Sequence, residues 1–436
     1  MRITVENFGP IREAKDIRIS PLTMFVGPSN SGKSYLAAVI NSTFEAADEC
    51  FVDPVPEIDD STIKDAVAKE FFIDWAKSMQ QEWKERIAYY LGEEGENIAK
   101  SRSMRVTVSS DDGNIVIDLC EPQKSRIPRA HLNNLVARAR KQAAEYHDDF
   151  PPSIKIFISL VWELYAELCG DVRVRSYCLP AVRGAVMQSY RSLVDQSIRR
   201  ASEFGTRNGN ASPMFSGILG NFARQLIGID KKEKSGQEII AINKILESNI
   251  LHGRINVIFP DIGLPEFRYA MKGKKGDMAI NNVSGMVADI APLSVFMRYC
   301  LNAGNLLIWE EPEMNLYPQA QRDIADIMVR LANAGVFVLA TTHSDIVLEQ
   351  IGNAIHAADI KNKNPNAKIK LLGKNGQSGA LLERKNAAVY SFAKQTPGGT
   401  EVRKLPFSGA AGFVPKEHMK ISEDLYNETV TLFNQK

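Results

Sequence analysis

Apolar and polar residues alternate along residues 2–8 (RITVENF) and again along 17–26 (IRISPLTMFV), where the alternation gives way to a mostly apolar run. Period two marks a half-buried strand and an unbroken apolar run a fully buried one, so this opening predicts an edge hairpin leading into a buried strand that ends at Val26. A glycine-bounded turn follows at 27–32. Behind it KSYLAAVINSTFEAA has helical periodicity, with no breaker before Pro54 and Pro56. The opening unit is therefore strand, loop, helix. From about 57 to 250 apolar residues recur mostly at helical spacing, in 63–92, 129–149, 153–170, 185–203 and 236–251. One hairpin interrupts this region: SMRVTVSSDDGNIVIDL is two alternating runs around an Asp-Gly turn. No stretch keeps an a/d heptad long enough for an extended coiled coil, so the region reads as a compact helical insertion.

Beyond 252 the period shortens again. GRINVIFP, PEFRYAM and GDMAIN are short alternating runs punctuated by glycine, proline and lysine, which predicts an antiparallel sheet. A helix (286–303), an apolar strand (306–309), a second helix (318–334) and a second apolar strand (336–340) then alternate, as a parallel α/β sheet requires. The chain divides on this reading into an N-lobe at 1–55, a mainly helical insertion at 56–252, a C-lobe at 253–352 and an α/β extension at 353–436. The sheet-forming segments are split, near 1–50 and 253–352, and there is no internal repeat.

Composition changes this picture by exclusion. With 44% hydrophobic and 24% charged residues over 436 positions, the chain is neither disordered nor collagen-like. Lys and Arg number 53 against 52 Asp and Glu, a formal charge of +1, so no global field draws it to nucleic acid or anionic lipid and such binding requires local patches. No run approaches the roughly 20 apolar residues of a membrane span, and MRITVENFGP lacks the apolar centre of a signal peptide. The expectation is a soluble, cytoplasmic protein with no membrane partner. The five cysteines, Cys50, Cys120, Cys169, Cys178 and Cys300, include no CxxC pair, which argues for reduced packing residues over a disulfide framework or zinc site.

The strongest chemical signal is Gly27-Pro28-Ser29-Asn30-Ser31-Gly32-Lys33-Ser34, which matches GxxxxGK[ST] between a predicted buried strand and a helix. Glycines let the chain curl until successive backbone N–H groups point at phosphate oxygens, and the helix N-terminus adds partial positive charge. Lys33 is expected to reach the β- and γ-phosphates and the Ser34 hydroxyl to hold Mg²⁺. The second signal is Leu306-Leu307-Ile308-Trp309-Glu310-Glu311-Pro312-Glu313, an apolar strand that ends in adjacent carboxylates where ligands of such sheets bind. Glu310 suits Mg²⁺ coordination, usually through water, and Glu311 suits polarising an attacking water as general base. A solvated strand edge is the plain alternative, and its company with the phosphate loop weighs against it.

The third signal is Thr341-Thr342-His343-Ser344 at the end of the next apolar strand, where His343 is placed to hydrogen-bond and report a γ-phosphate. A satisfied structural histidine is the alternative, and the strand-end position argues for the sensor. The fourth is Asn281-Asn282-Val283-Ser284-Gly285-Met286 before a helix, which on local grounds is a helix N-cap.

Taken together these segments resemble the ABC-type ATPase heads of the SMC-like and overcoming-lysogenisation-defect (OLD)-like AAA group. RITVENFGPI and TMFVGPSNSGKS are similar to its first strands and Walker A loop, NNVSGM to its degenerate signature, LLIWEEPEMNLYP to its Walker B and D-loop, and TTHSD to its switch histidine. YCLPAVRG at 177–184 resembles a proline-arginine segment of the group, which marks Arg183 as a site residue of unassigned role. The resemblance implies an α/β P-loop NTPase of ABC/SMC-head type with an N-terminal antiparallel β subdomain and a large helical insertion. It also implies a head that dimerises, or forms a higher homo-oligomer, around ATP and Mg²⁺, with Ser284 contacting the γ-phosphate of the opposite copy. Departures are Glu310 in place of the more usual aspartate, Asn315 and Tyr317 where histidine is frequent, and a signature without its leading serine.

OLD proteins carry a Toprim nuclease that needs a glutamate and an Asp-x-Asp pair for its metals. After Ser344 the aspartates here are Asp345, Asp359 and Asp424, which do not form one, so the expectation is a separate effector polypeptide, regulated by this ATPase in prokaryotic anti-phage defence. Lys231-Lys232-Glu233-Lys234, Lys272/Lys274/Lys275 and the stretch Lys361–Lys374 fit nucleic-acid phosphates and solvated loops equally well. Phe71, Phe72, Trp75, Met79, Trp83 and Ile87 form an aromatic-rich helix face that reads as core ahead of a partner surface. Competing readings are a nucleotide-gated scaffold or DNA-repair-type SMC-like ATPase with little turnover, and a transporter motor, which the helical insertion argues against.

Overall fold

The computed structural model describes residues 1–49, 65–101, 103–145, 150–170, 175–192, 217–232, 235–260, 264–369, 379–395, 398–409 and 412–433. The strands are β1 (Arg2–Phe8), β2 (Ile11–Arg18), β3 (Leu22–Val26), β4 (Arg105–Ser109), β5 (Val116–Asp118), β6 (Ser176–Leu179), β7 (Gly253–Ile258), β8 (Glu266–Met271), β9 (Met278–Ala279), β10 (Leu306–Glu310), β11 (Phe337–Thr342), β12 (Ala387–Gln395) and β13 (Gly399–Lys404). The helices are α1 (Lys33–Glu49), α2 (Asp65–Ala99), α3 (Arg129–Ala143), α4 (Pro152–Cys169), α5 (183–192), α6 (Gly217–Ile227), α7 (Gln237–Leu246), α8 (Gly285–Tyr299), α9 (Pro318–Asn333), α10 (Asp345–Lys363) and α11 (Lys416–Phe433). The chain forms two compact units, one of Met1–Ile19, Asn30–Ser176 and Lys394–Val402, the other of Ser20–Ser29, Tyr177–Ala393 and Arg403–Lys436.

In the first unit the strand order is β5-β4-β1-β2-β13. β1 is antiparallel to both β2 and β4, and its buried Ile3 and Val5 face Val108 and Val106 across the β4 ladder. The expectation of an edge hairpin is therefore corrected: β1 is an internal strand, flanked on both sides. β2 begins at Ile11, six residues before the alternating run that announced a strand. Its buried residues are Ile11, Ala14 and Ile17; the β1–β2 register shifts between Ile3 and Val5, where Asp16 takes a left-handed conformation (φ 52°), and this sets Ala14 and Ile17 three apart. A bulge of this kind destroys period two, and with it the sequence signal. β13 joins β2 in parallel, so a tail segment completes this mostly antiparallel sheet.

The Asp-Gly hairpin forms as expected, β4 and β5 pairing antiparallel with Gly113 at φ 73° in the turn. On α2 the aromatic residues Phe71, Phe72, Trp75, Met79, Trp83 and Ile87 are all buried, which settles that face as core. α2 breaks its helical geometry at Gly92 (φ 62°, ψ −144°). The expected helices 129–149 and 185–203 are present as far as 143 and 192; 146–149 and 193–203 lie outside the described residues, as do Cys50, Glu233, Lys234 and 370–374. Cys120, Cys169, Cys178 and Cys300 form no disulfide.

In the second unit the order is β12-β3-β11-β10-β6. β12, β3, β11 and β10 run parallel to one another, and β3 and β10 are buried at every position, the pattern of a sheet covered on both faces. Every residue of α8 from Val287 to Tyr299 is buried, so this helix runs inside the core. β7, β8 and β9 form the separate antiparallel sheet that the short alternating runs announced. Among the described residues no helix is long and apolar enough to cross a membrane.

Candidate functional site

Parallel register fixes where the chemistry collects. Val26 pairs with Thr342 and Glu310 with Thr341, so β3, β11 and β10 end in one row. Gly27, His343 and Glu311, each the first residue past its strand, leave the sheet from that same edge, the C-terminal edge where parallel sheets hold ligands.

Glycine and left-handed backbone mark the loop residues in each unit. Gly27 has φ 149°, and a Cβ there would sit 2.7 Å from the Phe392 carbonyl oxygen, so only glycine lets β3 turn out beside β12. In the first unit Asn30 is left-handed (φ 57°) and Gly32 has φ 96°, with Ile11 and Pro10 within 3.0 Å of where a Cβ would project. Ser31 is 1% exposed and its hydroxyl has no hydrogen-bond partner among the described residues, a buried polar atom of the kind a ligand oxygen would satisfy. Lys33 is buried at the first position of α1, and Ser34 and Ser29 are exposed.

At the strand ends the structure brings Glu310, Glu311 and His343 together. Glu311 takes the left-handed region at φ 44°, its N–H donating to the Thr341 carbonyl at 3.0 Å. Its Oε1 lies 3.7 Å from His343 Nε2, beyond a hydrogen bond and within reach of an ion pair when the imidazole is protonated. Glu310 is buried, and its Oε2 accepts from the Ala181 N–H at 3.2 Å. Ser284 is exposed at the N-cap position of α8 but makes no side-chain cap hydrogen bond, so the capping role suggested on local grounds is not what the hydroxyl does.

Two further side chains complete the cluster: Glu313, which the sequence reading gave no role, and Arg183, which it marked as a site residue without assigning one. Glu313 accepts the His343 backbone N–H at 2.7 Å, and burial pushes its carboxyl above the usual range despite that donor. Arg183, fully buried, sends its guanidinium to the main-chain carbonyls of Glu310 (2.8 Å), Glu311 (3.2 Å), Pro180 (3.2 Å) and Asp289 (2.9 Å). Burial pulls its pKa down; the carboxylates of Asp289, Glu313, Glu310 and Glu311 pull the other way. The sequence gives Glu313 no signal beyond lying in an acidic run, and gives Asp289 none, because burial inside a helix that is apolar all round is a tertiary fact.

Among curated proteins none matches this sequence. Solved structures similar to it include an SMC head bound to the C-winged helix domain of ScpA, 11% identical over 94% of this chain and 98% of that one (TM-score 0.35). Another is the Smc head with an extended coiled coil bound to the C-terminal domain of ScpA from Pyrococcus furiosus, 11% identical over 98% of each chain (TM-score 0.34). A third is the SMC head domain from Thermotoga maritima, 11% identical over 93% of this chain and 100% of that one (TM-score 0.34). Within the sequence, residues 201–348, which hold Ser284, Glu310, Glu311 and His343, match the family described as the AAA ATPase domain.

Proposed function

We propose that this protein is an Mg²⁺-dependent ATPase of SMC/ABC-head type that closes a homodimer on ATP and opens it on hydrolysis. The observation that carries the reading is the common row of strand ends, from which Gly27, Glu311 and His343 leave one sheet edge. Backbone N–H groups of Gly27, Ser29, Asn30, Ser31 and Gly32 hold the phosphates, Pro28 shaping the turn without a donor of its own, with Lys33 on the β- and γ-groups. Ser34 and Glu310 would hold Mg²⁺, whose chemistry would be to neutralise phosphate charge. Glu311 takes the proton of the attacking water, and His343, beside it, donates to the γ-phosphate. Ser284, uncommitted to its own helix cap, contacts the γ-phosphate bound by a second copy. Sequence resemblance to OLD-like ATPases extends this to regulation of a separate effector, in anti-phage defence.

Two variants test the assignment. Lys33→Ala should abolish binding of a fluorescent ATP analogue. Glu311→Gln should bind it as the wild type does and lose roughly 100-fold or more in turnover, the usual worth of a positioned general base. Equal hydrolysis by Glu311→Gln and wild type removes Glu311 from the mechanism.

A further inference from the structure

Arg183 spends its donors unusually. A guanidinium next to Glu310 and Glu311 would ordinarily pair with a carboxylate, yet its four hydrogen bonds end on backbone carbonyls. These carbonyls belong to three segments: the turn after β6 (Pro180), the end of β10 with the residue beyond it (Glu310, Glu311), and the second turn of α8 (Asp289). Its Cζ sits over the Trp309 ring, 5.9 Å from the centroid, within cation–π range. Asp289 closes the arrangement from the other side, its carboxylate accepting Asn315 Nδ2 at 2.6 Å. Glu311 and Asn315 both have left-handed backbones (φ 44° and 56°), so α8 is tied to both ends of the turn that carries the carboxylate. Gly184 packs so closely on Asp289 that a Cβ would fall 2.1 Å from Oδ1, which leaves the helix no slack against the arginine segment. α8 starts at Gly285, directly after Ser284.

We propose that Arg183 is the positioning residue for hydrolysis: it holds Glu311 in its left-handed conformation and transmits movement of the Ser284 end of α8 to that carboxylate. A fork of fixed donors is needed, because three segments are gripped from one plane; a lysine's single nitrogen on a flexible stem cannot grip them together. Through this link, contact at Ser284 adjusts the base 27 residues further along the chain, so that turnover follows engagement of the signature turn. The inference rests on the roles of Glu311 and Ser284 proposed above.

The test is a double-mutant cycle in single-turnover hydrolysis with enzyme in excess, alongside analogue affinity and a thermal melt. Arg183→Lys keeps the charge and loses the fork; it should leave the Kd within about twofold and lower the rate constant about tenfold or more. In the Glu311→Gln background the same change should cost almost nothing, because Arg183 acts through that carboxylate. A full tenfold loss added on top of Glu311→Gln, or a Kd that rises in step with the lost rate, overturns the proposal. So does normal turnover by folded Arg183→Lys while Glu311→Gln is slow. Wild-type rates in Glu311→Gln itself would instead strike the base assignment. Should Arg183→Lys fail to fold, Asn315→Ala, at an exposed position, runs the same cycle from the other end of the link, with the same two outcomes.

Discussion

A glutamate in the left-handed region costs about 1–3 kcal/mol and persists only where its surroundings over-determine it. Glu311 meets that condition from both sides, with its N–H held by Thr341 and its carbonyl held by Arg183. Glu247 shows a different cost at the same scale. It accepts from Arg298 Nη2 at 2.6 Å, yet burial outweighs that partner and holds its carboxyl above the ordinary range. Its folded pKa thus exceeds its unfolded value, so above the ordinary carboxylate range, near pH 4.3, the native state binds its proton more tightly than the unfolded chain does. Stability from this group is lost as pH rises from that value through the raised one. Urea melts of wild type and Glu247→Gln between pH 4 and 8 should show the wild type losing ground to the variant as pH rises; a difference that stays constant with pH would mean that Glu247 titrates normally. The sequence displays Glu310 and Glu311 because an apolar strand running into acids is a local pattern. Glu313, Asp289 and Glu247 have no local pattern, since what distinguishes them is the depth at which tertiary packing buries them.

Elements carry the same distinction. β3, β10 and β11 are legible as mostly apolar runs, and α9 as a periodic one, whereas in β2 a bulge sets buried Ala14 and Ile17 three apart. Helix α1 is fixed within its own unit by a partly buried carboxylate. Glu45 accepts from Arg86 Nη1 at 2.8 Å and from Tyr90 Oη at 2.7 Å on α2, and from Ser176 Oγ at 3.2 Å. Glu45 and Arg86 are only 15% and 16% exposed, so truncating Glu45 takes a largely buried acceptor from Arg86 and Tyr90, while Arg86 keeps Glu82 at 3.8 Å. Glu45→Ala should cost about 2–4 kcal/mol, somewhat below a fully buried pair, and be read as a shift in the denaturant midpoint at unchanged slope. A change under about 0.5 kcal/mol, the size of an exposed pair, would show that solvent screens this network.

For the whole molecule the function proposed above turns on whether each ATP would be completed by a second copy. Ser284 is exposed and leaves its own helix uncapped, an arrangement with a direct consequence for mixtures of variants. Lys33→Ala spoils the phosphate loop of its own chain but still presents an intact Ser284. Ser284→Arg places a bulky cation at the signature turn but keeps its own loop. Each alone assembles sites with one defective half, and each should be inactive. In a dimer of the two, the loop of the second variant meets the signature turn of the first, and one whole site exists. Turnover should therefore return when the two inactive proteins are mixed, rising with the fraction of mixed dimers measured by light scattering or cross-linking in the presence of ATP. Wild-type turnover by Ser284→Arg alone, or no recovery in a mixture shown to contain mixed dimers, would mean that each chain completes its own site and that dimerisation serves something other than hydrolysis.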